Sequence, residues 1–172
     1  MRYIKIILLI LVALALGAFL WYRYVIRTPE YLIKKAINEI AEMVEKSDGE
    51  TNSMVAFKML NLSTYLDERI SVSVHDLPID SELGREEFSS QLARGRMMLR
   101  RLNLKVLDIL IISRDAQNAR VECEVQAKAE GNSGHENRRW FSDNVYHLAL
   151  DMRCVEGKWL FSGFHEKDIL EK

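Results

Sequence analysis

Between residues 104 and 165, apolar and polar positions alternate in four successive runs. In residues 120–130, Val121, Cys123, Val125, Ala127 and Ala129 alternate with Arg120, Glu122, Glu124, Gln126 and Lys128. A period of two predicts a strand with one buried and one solvated face. Residues 138–154 repeat the pattern. There Tyr146, Leu148, Leu150, Met152 and Cys154 share one face, and Val145, His147, Ala149, Asp151 and Arg153 share the other. In the strand over residues 104–113, residues 106–112 are apolar on both faces apart from Asp108, which predicts a central strand; residues 158–165 form the last one. Asp115-Ala116-Gln117-Asn118, Gly131-Asn132-Ser133-Gly134 and Glu156-Gly157 supply turns between them. Connections this short force neighbouring strands to run antiparallel.

Upstream the period changes. Thr28-Pro29-Glu30 has the form of a helix start, with an N-cap, a proline at the first helical position and an acid in the first turn. Ile33, Ile37, Ile40 and Val44 then form one face, and Ser47-Asp48-Gly49 ends it. A second helix starts near Asn52, with Val55, Met59, Leu62 and Leu66 at helical spacing. Residues 69–75 alternate as a fifth strand, and Leu77-Pro78-Ile79-Asp80 breaks the chain. A third helix is predicted over residues 85–101, with Phe88, Leu92, Leu99 and Leu102 inward and Gly95 permitting close packing. Such stripes read as core.

The N-terminal segment changes the picture. Residues 6–22 carry no charge, and eleven of these seventeen are Leu, Ile, Val or Phe. At about −0.3 to −0.6 kcal/mol each, insertion into a bilayer would gain roughly 3 to 7 kcal/mol. Trp21, Tyr22 and Tyr24 read as an interface belt. The expectation is a membrane anchor over residues 1–27 (a signal-anchor) and one α+β domain over residues 28–172. A cleaved signal peptide ending near Ala13-Leu14-Ala15 is the rival reading. The expected location is single-pass, with the domain exported to the periplasm or cell exterior; Arg23, Arg27, Lys34 and Lys35 argue for a cytoplasmic domain instead.

Of the 172 residues, about 145 remain beyond that segment, enough for one domain burying roughly 68% of its unfolded surface. Four of the 24 basic residues and none of the 25 acidic ones lie in residues 1–27, so the remainder is acidic by five charges. That balance speaks against nucleic acid as a partner. Cys123 is expected opposite Val145, about nine residues or ~30 Å from Cys154, beyond the ~7 Å that a disulfide bridges. Two separate thiols are expected.

Three local patterns carry a family resemblance. Leu60-x-x-x-x-Tyr65-Leu66-Asp67-x-x-Ile70-x-Val72 resembles the helix-to-strand passage of the nuclear transport factor 2-like superfamily. Gly84-Arg85-Glu86-Glu87-Phe88 resembles the opening of that superfamily's third helix, and Gly157-Lys158-Trp159-Leu160-Phe161 its turn into the last strand. The resemblance, to a membrane-anchored member, spans about residues 29–165. It implies an α+β cone: a curved antiparallel sheet wrapped around about three helices, often with a pocket. The superfamily includes isomerases, polyketide cyclases, dehydratases and secretion-system subunits, so the fold alone selects no activity.

Within such a cone, Cys123, Trp140, Tyr146 and Trp159 are the candidate ligand-pocket residues. Asp108, in an otherwise apolar strand, and Tyr146 are the catalytic candidates, because burial would raise a carboxyl's pKa and fit it for proton transfer. On the exposed sheet face Asp108 would lose that role. No cofactor and no metal are expected, since His75, His135, His147 and His165 show no ligand-like spacing. Arg94, Arg96, Arg100, Arg101 and Lys105 read as cations favourable to a helix C-terminus. The leading expectation is a non-enzymatic, membrane-tethered interaction or ligand-binding domain, bound to the membrane through residues 6–22 and to a protein partner or second copy through the sheet face. One version resembles the inner-membrane assembly subunits of type IV secretion systems. The alternative is an isomerase- or cyclase-like enzyme acting on an apolar small molecule in the pocket. A side-chain-filled cone favours the first and a deep cavity the second.

Overall fold

The computed structural model describes residues 12–17, 19, 28–74, 79–132 and 139–167. Helices α1 (Pro29–Val44) and α2 (Asn52–Ser63) are followed by strands β1 (Leu66–Val74) and β2 (Ile79–Gly84), then α3 (Arg85–Met98). A meander follows: β3 (Leu99–Arg114), β4 (Asn118–Asn132), β5 (Arg139–Val155) and β6 (Lys158–Lys167). The six strands form one sheet in the order β2-β1-β6-β5-β4-β3, and the helices pack against its concave face.

Local chemistry accounts for the element ends. Thr28 Oγ1 accepts the Tyr31 N–H at 3.4 Å and Pro29 opens α1, whose Ile33, Ala36 and Ile37 are buried. Thr51 caps α2 in the same way, accepting from Met54 N at 3.4 Å. Glu156 (φ 52°) and Gly157 (φ 79°) form the two-residue loop between β5 and β6. Positive φ at both central positions matches the twist of a hairpin, and glycine adopts it without strain. Ile33, Leu62, Leu66, Ile70, Val121 and Met152 are the fully buried centre of the core.

The sheet bends because β3 carries three bulges against β4, where Arg100, Leu107 and Ile112 have no opposite residue. Each extra residue kinks the strand and increases its twist. Each also reverses the alternation, so a strand that reads as apolar on both faces keeps one inward row through Leu104, Val106, Ile109 and Ile111. β3 lies at the sheet edge, not at its centre as its composition predicts. Its other apolar residues, Leu107, Leu110 and Ile112, are exposed.

Other expectations are corrected here. The sheet is not wholly antiparallel, because β1 runs parallel to β6. Ile79 and Asp80, expected to belong to a chain break, instead open strand β2, which pairs with β1. The third helix stops at Met98, so Leu99 and Leu102 face inward from a strand. Nothing lies within 4 Å of where a Gly95 Cβ would stand, so that glycine serves no close approach. Cys123 stands opposite Leu148 rather than Val145; both cysteines are free.

The membrane-anchored reading is also corrected: among the described residues, no helix is long and apolar enough to cross a membrane. Of the expected span, the helical run 12–17 is described. The rest of residues 6–22, apart from residue 19, lies outside the described residues. The signal-anchor, the membrane partner and the exported single-pass location rested on that span, and no membrane-crossing helix among the described residues supports them.

Candidate functional site

The concave face encloses a cavity of about 480 Å³, within the range of small-molecule sites. Helix α1 supplies Ile37, Ile40, Ala41 and Val44 to its wall, and α3 supplies Phe88 and Leu92. The inward rows of the strands complete it, with Leu104 and Val106 from β3, Cys123, Val125 and Ala127 from β4, and Tyr146, Leu148 and Leu150 from β5. Phe161 and Phe164 close it from β6, the ring of Phe161 lying 5.8 Å from that of Phe88. The cone is therefore hollow. No carboxylate or imidazole lines this cavity among the described residues.

Two polar-capable groups line the wall. Cys123 is buried, and burial pushes its thiol up to about 12, so it stays protonated and unreactive at neutral pH. The half-buried Tyr146 accepts from Asn144 Nδ2 at 3.4 Å, which leaves its own O–H free to donate. Ser142 and Asn144 continue the inward row of β5 toward solvent, and Asn144 Nδ2 also donates to Ser142 Oγ at 3.2 Å. Tyr146 therefore stands where an apolar wall meets a polar rim.

The other sequence candidates lie elsewhere. The bulge at Leu107 turns Asp108 out beside Glu124, where it is exposed and accepts the Ile109 N–H at 2.8 Å. Trp159 is buried opposite Cys154, but it lines a separate 190 Å³ pocket with Leu32, Ala36 and Tyr65, not the main cavity. Trp140 pairs with Gly131 at the start of β5; its side chain lies outside the description. His147 and His165 sit on the outer sheet face with Glu124 (3.4 Å) and Asp151 (2.8 Å). His75 and His135 lie outside the described residues, among which no metal-binding cluster occurs.

The residues that the sequence reading passed over are charged. Arg96 and Glu50, side chains 2% and 0% exposed, form an ion pair at 2.7 Å. Arg96 Nη2 also donates to the Glu45 carbonyl at 2.7 Å. Lys58 Nζ stands 2.8 Å from Glu50 Oε1, and Lys46 Nζ donates to the Arg96 and Leu99 carbonyls at 2.9 and 2.5 Å. A signal existed, for Phe88, Leu92 and Arg96 are spaced by four on one helical stripe. Arg96 lines a second chamber of about 400 Å³. Val44, Val72, Phe88 and Leu92 wall both this chamber and the main one.

No protein-family model matches the chain, and no curated protein does. Solved structures do match its fold. A protein of Kribbella flavida superposes with a TM-score of 0.62 at 10% identity, over 80% of this chain and 88% of its own. A protein of Streptomyces avermitilis, assigned as a dehydratase of the nuclear transport factor 2-like family, gives 0.61 at 14% identity, over 81% and 96%. A protein of Novosphingobium aromaticivorans, assigned as an aromatic ring hydroxylase, gives 0.61 at 10% identity, over 82% and 88%. The order of helices and strands, the hollow concave face and these superpositions agree: the chain has the nuclear transport factor 2-like, cystatin-like α+β cone fold.

Proposed function

We propose that the protein is an enzyme that takes an apolar small molecule into the cone and isomerises or cyclises it there. The carrying observation is the hollow, almost wholly apolar chamber with, among the described residues, a single phenol at its rim. This corrects the expectation of a non-enzymatic tethered domain, whose anchor has no membrane-crossing helix among the described residues and which a side-chain-filled cone, not a hollow one, would have favoured. The fold relatives assigned as a dehydratase and a ring hydroxylase support the same direction.

The chemistry suits the lining. Ring closure gains most from holding a flexible apolar chain in one reactive conformation, which can supply ~7–11 kcal/mol of the barrier. An enclosure of Leu, Ile, Val and Phe side chains does that without charged groups. The enol carbon of the chain bonds to its own carbonyl carbon, the carbonyl π bond breaks, and the enol proton passes to the new alkoxide oxygen. Tyr146 adds one hydrogen-bond donor for a carbonyl oxygen on which negative charge develops. The test follows conversion of apolar enolisable ketones and poly-β-ketone chains by ultraviolet absorbance. Turnover by the full chain is expected. Tyr146→Phe should lower kcat by about a hundredfold with little change in KM. A Tyr146→Phe variant as fast as the parent removes the phenol from the reaction, and no conversion of any such compound overturns the reading.

A further inference from the structure

We infer that the ligand of this chamber is an anion with an apolar body, its acidic end held at Arg96. The inference rests on the small-molecule reading above and narrows its ligand from an apolar molecule to one whose apolar body carries a single acidic group. A guanidinium has five N–H donors. In Arg96 the Nη2 group is engaged by the Glu45 carbonyl and Glu50 Oε2. Nε and Nη1, with the remaining three N–H groups, are buried and have no hydrogen-bond partner among the described residues. Donors left unmade in an apolar interior are costly, and an acidic group is the acceptor that repays them best.

The residue types in the chamber lining favour the same occupant. Around this end of the cone, Lys46, Lys58 and Arg96 face two carboxylates, Glu45 and Glu50. Glu45 Oε1 is already taken by the Leu104 N–H at 2.9 Å and by Asn103 Nδ2 at 3.2 Å. Arg100 pairs with Asp48 and Glu130 close by, so the charges around this end balance, and among the described residues Arg96 is the one ionisable group in the chamber lining itself, beside Leu99, Leu102, Phe88 and Gln91. The two chambers are separated by no more than the side chains they share, Val44, Val72, Phe88 and Leu92, and an elongated molecule that parts them lays its apolar part along the main cavity and its acidic end beside Arg96.

Calorimetric titration of the full chain with octanoate, octanol and octylammonium, each below its micellar concentration, tests this. Octanoate should bind at least tenfold more tightly than octanol, and octylammonium more weakly than either. In the Glu50→Gln, Arg96→Met double variant, which removes both buried charges together, the preference for octanoate over octanol should fall below threefold. The comparison within the parent protein stands whether or not that variant folds. Octanol binding as tightly as octanoate overturns the anionic assignment and leaves the apolar chamber intact. If none of the three binds, the chamber reading and the anion inference fall together.

Discussion

Arg96 shows how far a single residue can depart from its sequence reading. In the sequence it belongs to a run of cations at the end of a helix; in the fold it is buried and paired at 2.7 Å with an equally buried Glu50, 46 residues away. The helical stripe through Phe88 and Leu92 placed it inward, but its partner lies in a loop whose course no local pattern encodes. Removing one member of such a pair leaves the other charge buried. Arg96→Met should therefore cost about 3–5 kcal/mol in urea unfolding, and adding Glu50→Gln should recover most of that loss. A single variant as stable as the parent would show that Lys58, 2.8 Å from Glu50 Oε1, compensates the buried carboxylate alone. Cys123 and Tyr146 were legible as inward residues because β4 and β5 pair without a bulge from Asn118↔Arg153 to Asn132↔Arg139. Asp108 was not, because one extra residue at Leu107 exchanges the two faces of β3.

At the scale of elements, the helices and the meander follow from their periods and turns. The helix starts were legible in Thr28-Pro29 because capping is local. The β1–β6 parallel pairing and strand β2 were not, since strand partnership is decided by distant parts of the chain and Pro78 reads as a break. The β3–β4 hairpin makes a testable case. Asp115 Oδ1 accepts the N–H groups of Gln117 and Asn118, both at 2.7 Å. Those bonds, led by the Gln117 N–H, hold the Asp115 carboxyl below the usual carboxylate range. A folded-state pKa below the unfolded value of about 3.9 stabilises the fold above that value, and the contribution is lost as pH falls through the folded pKa. Asp115→Ala should therefore melt below the parent at pH 7, and the gap should narrow toward pH 3. An equal gap at both pH values would show that the carboxylate charge is not what holds this turn.

For the whole molecule, the order of elements sufficed to suggest the cone, because each helix and strand was legible in its own period. The cavity was not legible. Its existence depends on curvature, and the curvature comes from bulges at Arg100, Leu107 and Ile112 that leave no mark in composition. Fold membership left the activity open, since one architecture serves many chemistries. What separates the readings is where an apolar molecule goes, because both the inner wall and the outer face of β3 carry aliphatic side chains. Methyl-resolved NMR of the full chain during titration with octanol reads both at once. The account predicts that the methyl signals of Ile37, Ile40, Val44, Leu104, Val106 and Leu148 shift together to saturation, while those of Leu107, Leu110 and Ile112 stay in place. Shifts confined to the outer-face methyls, with the inner set unmoved, would contradict it.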